Sequence, residues 1–292
     1  MISLAHDDFK LTAAPQFGGS VMSFTLLGQD VLRPASKMDQ TSWDARNTAG
    51  FPMLPFVGRI TNGRFRLGHR AIQLPANMPP ERHAIHGFGW QSAWSVENTT
   101  KSALTLSLGY TATDDLWAFE ARQIFALTDT GLSVKLEIQN TSDMKLPFGC
   151  GWHPYFPKAA ATLKAPVTQS WTGQNTAPER AALTKATDLR LERHVRDLNL
   201  DTAFDCESNP VLIATAHHRI TLESEPIFSK LTVYTPPNED YFCIEPITHA
   251  PDAINMSLPN SKTGLKWLDP GETLSGDIKL HVKPRSASAQ SA

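Results

Sequence analysis

The sequence has 292 residues, of which 41% are hydrophobic and 19% are charged, and its formal net charge at pH 7 is −2. A charged fraction below the ~25% of an average soluble protein allows a sizeable core and excludes a chain that is disordered throughout. The near balance of 27 basic and 29 acidic residues argues against nucleic acid as the main partner, because proteins that bind it usually carry a basic patch or stripe.

The start of the chain and its cysteines indicate the compartment. MISLAHDDFK lacks a basic start followed by an apolar run, so we expect no signal peptide. No stretch of about 18 apolar residues predicts a membrane span. Cys150, Cys206 and Cys243 lie far apart without a CxxC pair, which indicates reduced thiols rather than a disulfide framework or a zinc knuckle. We therefore expect a cytoplasmic protein that has no membrane partner.

Apolar and polar residues alternate with a period of two along much of the chain, which predicts strands with one buried face. The predicted strands are 103–110, 120–127, 132–140, 218–224, 230–236 and 277–282. Turn signals such as LTDTGL, QNTSD, TPPNED and LDPGET separate them. Residues 157–200 show little alternation, and there we expect loops with at most a short helix around 188–196.

Many short strands joined by turns predict an all-β fold, a sandwich or a barrel, with few short helices. The 21 prolines also work against long helices. The spacing of the strands shows no fixed repeat, so a propeller is not expected. No linker divides the chain. We therefore expect one domain over residues 1–284 and a disordered tail over 285–292, which is small and polar.

Four polar positions interrupt the strand pattern, and each is framed by glycine, proline or aromatic residues. Such stiff loops often carry binding residues. The first position is Arg59 in FPMLPFVGRITNGRF. It can be a surface arginine whose stem packs on Phe56, or a planar donor fork for vicinal hydroxyls or a carboxylate. Arg64 and Arg66 follow it but alternate as a solvated strand face does.

The second position is the segment HAIHGFGWQ, which contains His83, His86 and Trp90. Its glycines let the backbone come close to a ligand. Two histidines three residues apart are a weak metal signal, because a zinc site needs a third protein ligand. Trp90 can stack on the apolar face of a sugar ring or fill the core. The sequence leaves these alternatives open.

The third and fourth positions are His153 in GCGWHPYFP and Glu245 in YFCIEPITHAPDAIN. The aromatic and proline frame suits either a buried structural histidine or a ring held in place for proton transfer. Glu245 follows an apolar strand, where a carboxylate is costly unless it is paired or used. Burial would raise its pKa toward neutrality, as a general base requires. His249 and Asp252 nearby are ambiguous.

A histidine acid and a glutamate base together suggest proton transfer without a metal or a bound cofactor. The sequence contains no GxGxxG stretch, no P-loop and no GxSxG elbow. Each proton-transfer group typically contributes about 10²–10⁴ in rate. Two such groups suffice for a reaction with a modest intrinsic barrier but hardly for the cleavage of an amide or a phosphodiester.

Five stretches, in order over residues 52–255, resemble motifs of the aldose 1-epimerases, or mutarotases. They are PFVGRITNGRF, AIHGFGW, WHPYF, LDTAF and FCIEPITHAPDAIN. Within that family they look most like a bacterial branch of uncharacterised members, and the H-P-Y-F motif is the most specific. Gly58 is a departure, because many members have asparagine before the arginine. Galactose specificity is therefore not carried over.

The resemblance implies a large antiparallel β-sandwich, the galactose mutarotase-like supersandwich, and an isomerase that interconverts the α and β anomers of an aldose. It implies Glu245 as the base that takes the proton of the anomeric hydroxyl and His153 as the acid that protonates the ring oxygen. His86 would hydrogen-bond near the ring oxygen or the anomeric oxygen of the sugar and help to orient the sugar or stabilise charge. The substrate-binding candidates are Arg59, Asp201 and Trp90.

Other functions remain open on sequence alone. One is a non-catalytic sugar-binding or regulatory protein on the same fold. Another is a glycoside hydrolase or lyase; such hydrolases usually pair two carboxylates about 5–9.5 Å apart, and only Glu245 and Asp201 are plausible partners. A third is a histidine-liganded metal enzyme. The expected partner is a small sugar, free or with an anionic substituent, and the chain is expected to be a monomer or a homodimer.

Overall fold

Two large antiparallel sheets dominate the architecture of the computed structural model, which describes residues 1–36, 44–111, 116–173, 178–207 and 210–285. The expected all-β sandwich is confirmed. Of the predicted tail 285–292, only Arg285 belongs to the described residues. Within these ranges no helix has the length and apolar composition needed to cross a membrane.

The first sheet has eleven strands within the described part of the chain. In spatial order they are β1 (Ile2–His6), β2 (Phe9–Ala14), β3 (Ser20–Leu26), β5 (Gly50–Met53), β15 (Gly151–Pro157), β24 (Tyr241–Ile247), β23 (Lys230–Tyr234), β20 (Asp201–Cys206), β17 (Val167–Thr172) and β18 (Glu179–Ala181), with β4 (Gln29–Asp30) paired to β3.

The second sheet has nine strands by the same count. Their spatial order is β10 (Ser95–Thr99), β11 (Ala103–Thr111), β12 (Ala118–Thr128), β13 (Gly131–Asn140), β26 (Thr273–Pro284), β22 (His218–Ser224), β21 (Val211–Ala214), β16 (Thr162–Lys164) and β19 (Arg193–His194).

Three small two-stranded antiparallel pairs and a few short helical turns complete the described structure. The pairs are β6 (Arg59–Ile60) with β9 (Ala84–Ile85), β7 (Arg64–Leu67) with β8 (Arg70–Gln73), and β14 (Leu146–Phe148) with β25 (Lys266–Leu268). The helical elements are the α-helix α1 (Asn260–Thr263) and the 3₁₀ turns Ala45–Asn47, Thr61–Gly63, Gly89–Gln91, Val195–Asp197 and Ala253–Asn255.

The period-two pattern has the expected structural cause. In β13 the apolar residues Leu132, Val134, Leu136 and Ile138 are all buried, while the polar residues between them are partly exposed. Alternate side chains of a strand point to opposite faces, so a single buried face requires this alternation. All six predicted strands overlap observed ones.

The expectation of loops over residues 157–200 was wrong, because the region contains β16, β17, β18 and β19. Around 188–196, where at most a short helix was expected, the structure has β19 and the 3₁₀ turn Val195–Asp197. These strands have two to six residues each, which is too short for a visible alternation. Pairing to distant strands stabilises them, as when Trp171 of β17 lies opposite Ala203 of β20.

The middle of the first sheet is covered on both faces. Trp152, Phe156 and Ile244 point into the sandwich core. Tyr155 and Cys243 come from the same two strands but belong to a separate buried cluster on the opposite face. That cluster also includes residues from the segment between β5 and β10. The strands β15 and β24 therefore contribute to the sandwich core with one face and to the floor of a cleft with the other.

Candidate active site

The candidate site is a cleft on this second face, with about 1000 Å³ of space, part of it open solvent. Neighbouring strands form its floor. Phe51 of β5 lies opposite His153 of β15, and Thr232 of β23 lies between Glu245 of β24 and Ala203 of β20. Because these residues share one face of the sheet, their side chains converge on the cleft.

The segment between β5 and β10 forms one wall and holds His86 over the floor. The backbone N–H of His86 donates to the carbonyl of Gly58 at 2.9 Å. His86 has a φ of 58°, which is uncommon for a residue with a side chain. Gly87 follows at a φ of 70°, and a Cβ there would lie 2.0 Å from the carbonyl oxygen of Leu54. A strained backbone at this position indicates a constraint on where the imidazole points.

His153 and Glu245 form a buried pair across adjacent strands. His153 Nε2 lies 3.3 Å from Glu245 Oε1, and the side chains are only 9% and 4% exposed. The ring of His153 stacks on the rings of both Phe51 and Tyr155, with centroid distances of 4.5 and 4.8 Å. The edge of the His86 ring approaches it at 5.4 Å.

This arrangement refines the aromatic frame expected around His153. Of its sequence neighbours, Tyr155 contacts the imidazole, whereas Trp152 and Phe156 point into the sandwich core. The second stacking partner, Phe51, comes from a distant strand. The local sequence therefore supplies only one of the two stacked rings, and the register of the sheet supplies the other.

Exclusion of water shifts the pKa values of the pair in opposite directions. Burial raises the pKa of Glu245 well above its usual value; the charge of Asp201 raises it further and that of Arg59 lowers it. Burial, partly opposed by a backbone hydrogen bond and reinforced by the positive charge of Arg33, lowers the pKa of His153 to about 3. A low-dielectric site favours neutral forms of both groups. The pair then holds one proton between the carboxyl and the imidazole.

Burial also lowers the pKa of His86 well below its usual value, with smaller contributions from His153 and Arg59. The Nδ1 atom of His86 is buried without a hydrogen-bond partner among the described residues. A buried polar atom of this kind is costly unless a ligand or water satisfies it. The neutral His86 ring, half-buried at the cleft, can therefore hydrogen-bond a substrate without carrying charge.

Arg59 lies across the cleft in a carboxylate network. Its guanidinium donates to Glu81 Oε1 at 3.1 Å and lies 3.7 Å from Asp201 Oδ2. Burial raises the pKa of Asp201, an effect opposed by Arg59 and reinforced by Glu81. The guanidinium of Arg59 thus lines the cleft as a donor fork. Glu81 was not found from the sequence, where it looks like an ordinary charge on a surface turn.

Trp90 is buried, in line with the core-filling alternative, and its ring also lines the cleft. The ring stacks on Phe51 with a centroid distance of 5.5 Å. Its indole N–H donates to the carbonyls of Ile85 and Gly87 at 3.1 Å each. The ring therefore braces the loop that carries His86, and direct contact with a sugar stays a prediction.

The other histidine and acidic candidates have structural partners. His83 Nδ1 accepts from the backbone N–H of Asn62 at 3.0 Å. His249 Nε2 accepts from the N–H of Val57 at 3.2 Å. Asp252 accepts from the backbone and hydroxyl of Thr61. Among the described residues, the His83 and His86 pair gathers no third ligand, whereas His153, Cys243 and Glu245 could together hold a metal.

Arg33 is a cleft-side residue that the sequence did not single out. Its guanidinium lies over the rings of both Tyr155 and Tyr241, at 4.3 and 4.4 Å from their centroids. It also donates to the carbonyls of Arg46 and Thr48 at 2.7 Å. Nothing in the local sequence signals this position, because its partners come from three other segments of the chain.

The sandwich with a cleft on one sheet is the galactose mutarotase-like fold. The chain belongs to the aldose 1-epimerase family, whose sequence profile matches residues 1–281. The resemblance drawn from five short motifs is thereby confirmed.

Individual relatives support the same assignment. The uncharacterized protein YphB of Escherichia coli K12 is 27% identical over 96% of this chain and 98% of its own length. A crystal structure from the same organism, described as a candidate aldose 1-epimerase, superposes with a TM-score of 0.86 at 27% identity, over 97% and 98% of the two chains. A galactose mutarotase-like protein from Clostridium acetobutylicum shares the fold, with a TM-score of 0.87 at 21% identity over 97% and 95%.

Proposed function

We propose that this protein is an aldose 1-epimerase that interconverts the α and β anomers of an aldose by acid–base ring opening and closing. The observation that carries the proposal is the buried pair of His153 and Glu245, with Nε2 and Oε1 at 3.3 Å on the floor of a cleft. One small sugar can touch both groups at that separation. Membership of the family supports the reaction class and a sugar substrate.

The ring-opening step uses both groups at once. The carboxylate of Glu245 takes the proton of the hydroxyl on C1, and the imidazolium of His153 gives its proton to the ring oxygen. The bond between C1 and the ring oxygen breaks, and a carbonyl forms at C1. Rotation about C1–C2 exposes the other carbonyl face. Closing the ring reverses the transfers, so the sugar gains and loses no atoms.

The pKa directions suit this cycle. Opening converts a carboxylate and an imidazolium into a carboxylic acid and a neutral imidazole, and closing converts them back. The pair carries one proton in both forms, so neither step needs a proton from solvent. Burial favours the form in which both side chains are neutral, and this is the form present while the sugar ring is open. Because the two states have the same proton content, the same pair can serve both directions of a reversible reaction.

The remaining cleft residues have binding roles in this proposal. Arg59 and Asp201 bind sugar hydroxyls, because they present donors and an acceptor on one side of the cleft. His86 hydrogen-bonds near the ring oxygen or the anomeric oxygen of the sugar, because its side chain lines the cleft. Trp90 offers an apolar ring face to the sugar. Hydroxyl groups on a rigid pyranose are well matched to such fixed donors.

The substrate is proposed as a small aldose, free or with an anionic substituent, without nucleic acid or membrane as a partner. We also propose a cytoplasmic location and a monomeric or homodimeric state. The three cysteines are free, and Cys150 and Cys243 are buried, which supports a reducing compartment.

The proposal is tested by following anomer exchange directly. Purified protein is added to freshly dissolved α-glucose, α-galactose and a panel of other free, phosphorylated and sulfonated aldoses, and the approach to equilibrium is followed by polarimetry or saturation-transfer NMR. We expect faster exchange for at least one sugar at catalytic protein concentrations. Binding of a sugar without faster exchange would identify a non-catalytic sugar-binding protein and overturn the proposal.

A further inference from the structure

A third reactive side chain, the thiol of Cys243, lies beside the acid–base pair. Cys243 precedes Glu245 by two residues on β24, so both side chains leave the same face of that strand. Opposite it in the ladder is Tyr155, two residues after His153 on β15. One ligand atom each from His153, Cys243 and Glu245 lie within 4.8 Å of one another. The proposed reaction uses only two of the three.

We propose that His153, Cys243 and Glu245 form a binding site for a thiophilic divalent cation such as Zn²⁺, and that occupation of this site stops anomer exchange. The binding part rests on the geometry of these three side chains. The inhibitory part rests on the proposed function, because the ion takes the lone pairs through which the imidazole and the carboxylate exchange protons.

The spacing fits a tetrahedral ion after a small movement. Zinc bonds of about 2.0–2.3 Å place the ligand atoms of a tetrahedron roughly 3.3–3.8 Å apart. His153 Nε2 and Glu245 Oε1 are already 3.3 Å apart. One ligand atom of each of the three residues lies within 4.8 Å of the others, so the thiol needs to approach by roughly 1.5 Å at most.

The charges and the donor types also match. A thiolate and a carboxylate carry two negative charges and a neutral imidazole none, so a divalent ion forms a neutral complex. A neutral complex suits a site in which all three residues are buried. Binding releases one proton from the thiol and one from the carboxyl. Sulfur and nitrogen donors favour zinc over magnesium or calcium.

The ion has a route of entry and a free coordination position. His153 and Glu245 both line the cleft, whereas Cys243 lies beneath it in the buried cluster with Phe51 and Tyr155. Three protein ligands leave the fourth position of a tetrahedron for water or a sugar hydroxyl from the cleft.

The experiment uses the full chain and three variants. Binding is measured by titrating Cd²⁺ and following the ultraviolet absorption of the cadmium–thiolate bond. Inhibition is measured as anomer exchange against added Zn²⁺, with reversal by EDTA. Cys243→Ser and Cys243→Ala remove the ligand. Cys206→Ser is the matched control, because Cys206 is a half-buried thiol outside the cleft. Thermal unfolding and exchange without metal verify that each variant is folded.

We expect the wild type and Cys206→Ser to bind one Cd²⁺ with a thiolate band and to lose exchange in Zn²⁺. In both Cys243 variants the band disappears and inhibition weakens by roughly tenfold or more, since one of three ligands is gone. A wild type without the band, or a band that is lost in Cys206→Ser and kept in Cys243→Ser, would overturn the site.

Two further outcomes separate the parts of the proposal. Equal Zn²⁺ inhibition of all variants, or faster exchange with Zn²⁺, would overturn the inhibitory role alone. A Cys243-dependent band in a protein that exchanges no anomers would support the metal site while the proposed epimerase function fails.

Discussion

Two sheet faces that both carry acidic and basic side chains behave in opposite ways. The outer face of the nine-stranded sheet presents Glu137 beside Lys135 at 2.7 Å and Arg122 beside Glu97 at 3.0 Å, with side chains 24–55% exposed. The cleft face of the eleven-stranded sheet presents His153 beside Glu245 with less than a tenth of either side chain exposed.

The pKa directions of the two faces differ because the two faces differ in their exposure to water. On the outer face, hydrogen bonds and charge interactions with carboxylates raise the pKa values of Lys135 and Arg122, so the charged forms are favoured. In the cleft, burial raises the pKa of Glu245 and lowers that of His153, so the neutral forms are favoured. Residue type alone does not set these pKa directions; exclusion of water does.

Glu245→Gln should cause the largest loss of anomer exchange among the variants of the cleft. The amide fills the same space but takes no proton from the anomeric hydroxyl. We expect the exchange rate to fall by roughly 10³–10⁴, the upper part of the range for a general base. Glu137→Gln on the outer face is the matched control and should leave the rate unchanged. Polarimetry on both variants measures the contrast.

A Glu245→Gln variant that is folded and exchanges anomers at a near-normal rate would remove Glu245 from the mechanism. Circular dichroism and thermal unfolding establish that the variant is folded. An equal fall in both variants would show that the loss arises from destabilisation of the sandwich rather than from chemistry in the cleft.

His153→Asn should have the next largest effect, a fall of roughly 10²–10³ in exchange rate. The loss is smaller because the ring of His86 lies 5.4 Å from that of His153 and can replace part of its hydrogen bonding. His281→Asn, which removes an imidazole paired with Glu223 on the outer face, is the control. Near-normal exchange by folded His153→Asn would contradict the acid role.

The motifs that carry His153 and Glu245 were visible in the sequence because local composition marks them. Proline and aromatic residues frame the histidine, and an apolar strand precedes the glutamate. The long strands were equally visible, since β13 and β22 alternate for seven residues or more. Glu81, Arg33 and Phe51 carried no such signal. Their roles come from sheet register and loop packing between segments that are distant in the chain.

Arg59→Lys tests whether the cleft face, unlike the outer face, contributes to sugar binding. A lysine keeps the charge but loses the planar fork that reaches Glu81 and lies beside Asp201. We expect kcat/KM to fall roughly 10–100-fold, the value of one or two charge-assisted hydrogen bonds. Arg122→Lys on the outer face should change neither constant. A fall confined to kcat would contradict a binding role for Arg59.

The stability of the protein should depend on pH through His153. In the unfolded chain this histidine binds a proton near its ordinary pKa of 6.5, whereas in the folded chain it does so only at about 3. The unfolded state therefore holds more protons between these values, and the stability contribution of neutral His153 is lost as the pH falls through that window. Urea unfolding at pH 7.5 and pH 5 should show wild type losing more stability than His153→Asn. Equal losses would contradict the shift.

The smallest effect concerns Gly58, where many aldose 1-epimerases have asparagine. Gly58 has a φ of 63°, and a Cβ there would lie 3.0 Å from Pro251 Cβ, so the proline would have to move by a few tenths of an ångström. Gly68 has a φ of 57° with nothing within 4 Å of its Cβ position. Asparagine tolerates left-handed backbone at both positions. We expect Gly58→Asn to lower the free energy of unfolding by about 1 kcal/mol more than Gly68→Asn, as modest overpacking does. Equal free energies of unfolding for the two variants, measured with urea, would mean that Pro251 moves aside at no cost. The glycine would then reflect the sugar that the cleft accepts rather than the packing of the loop that positions His86.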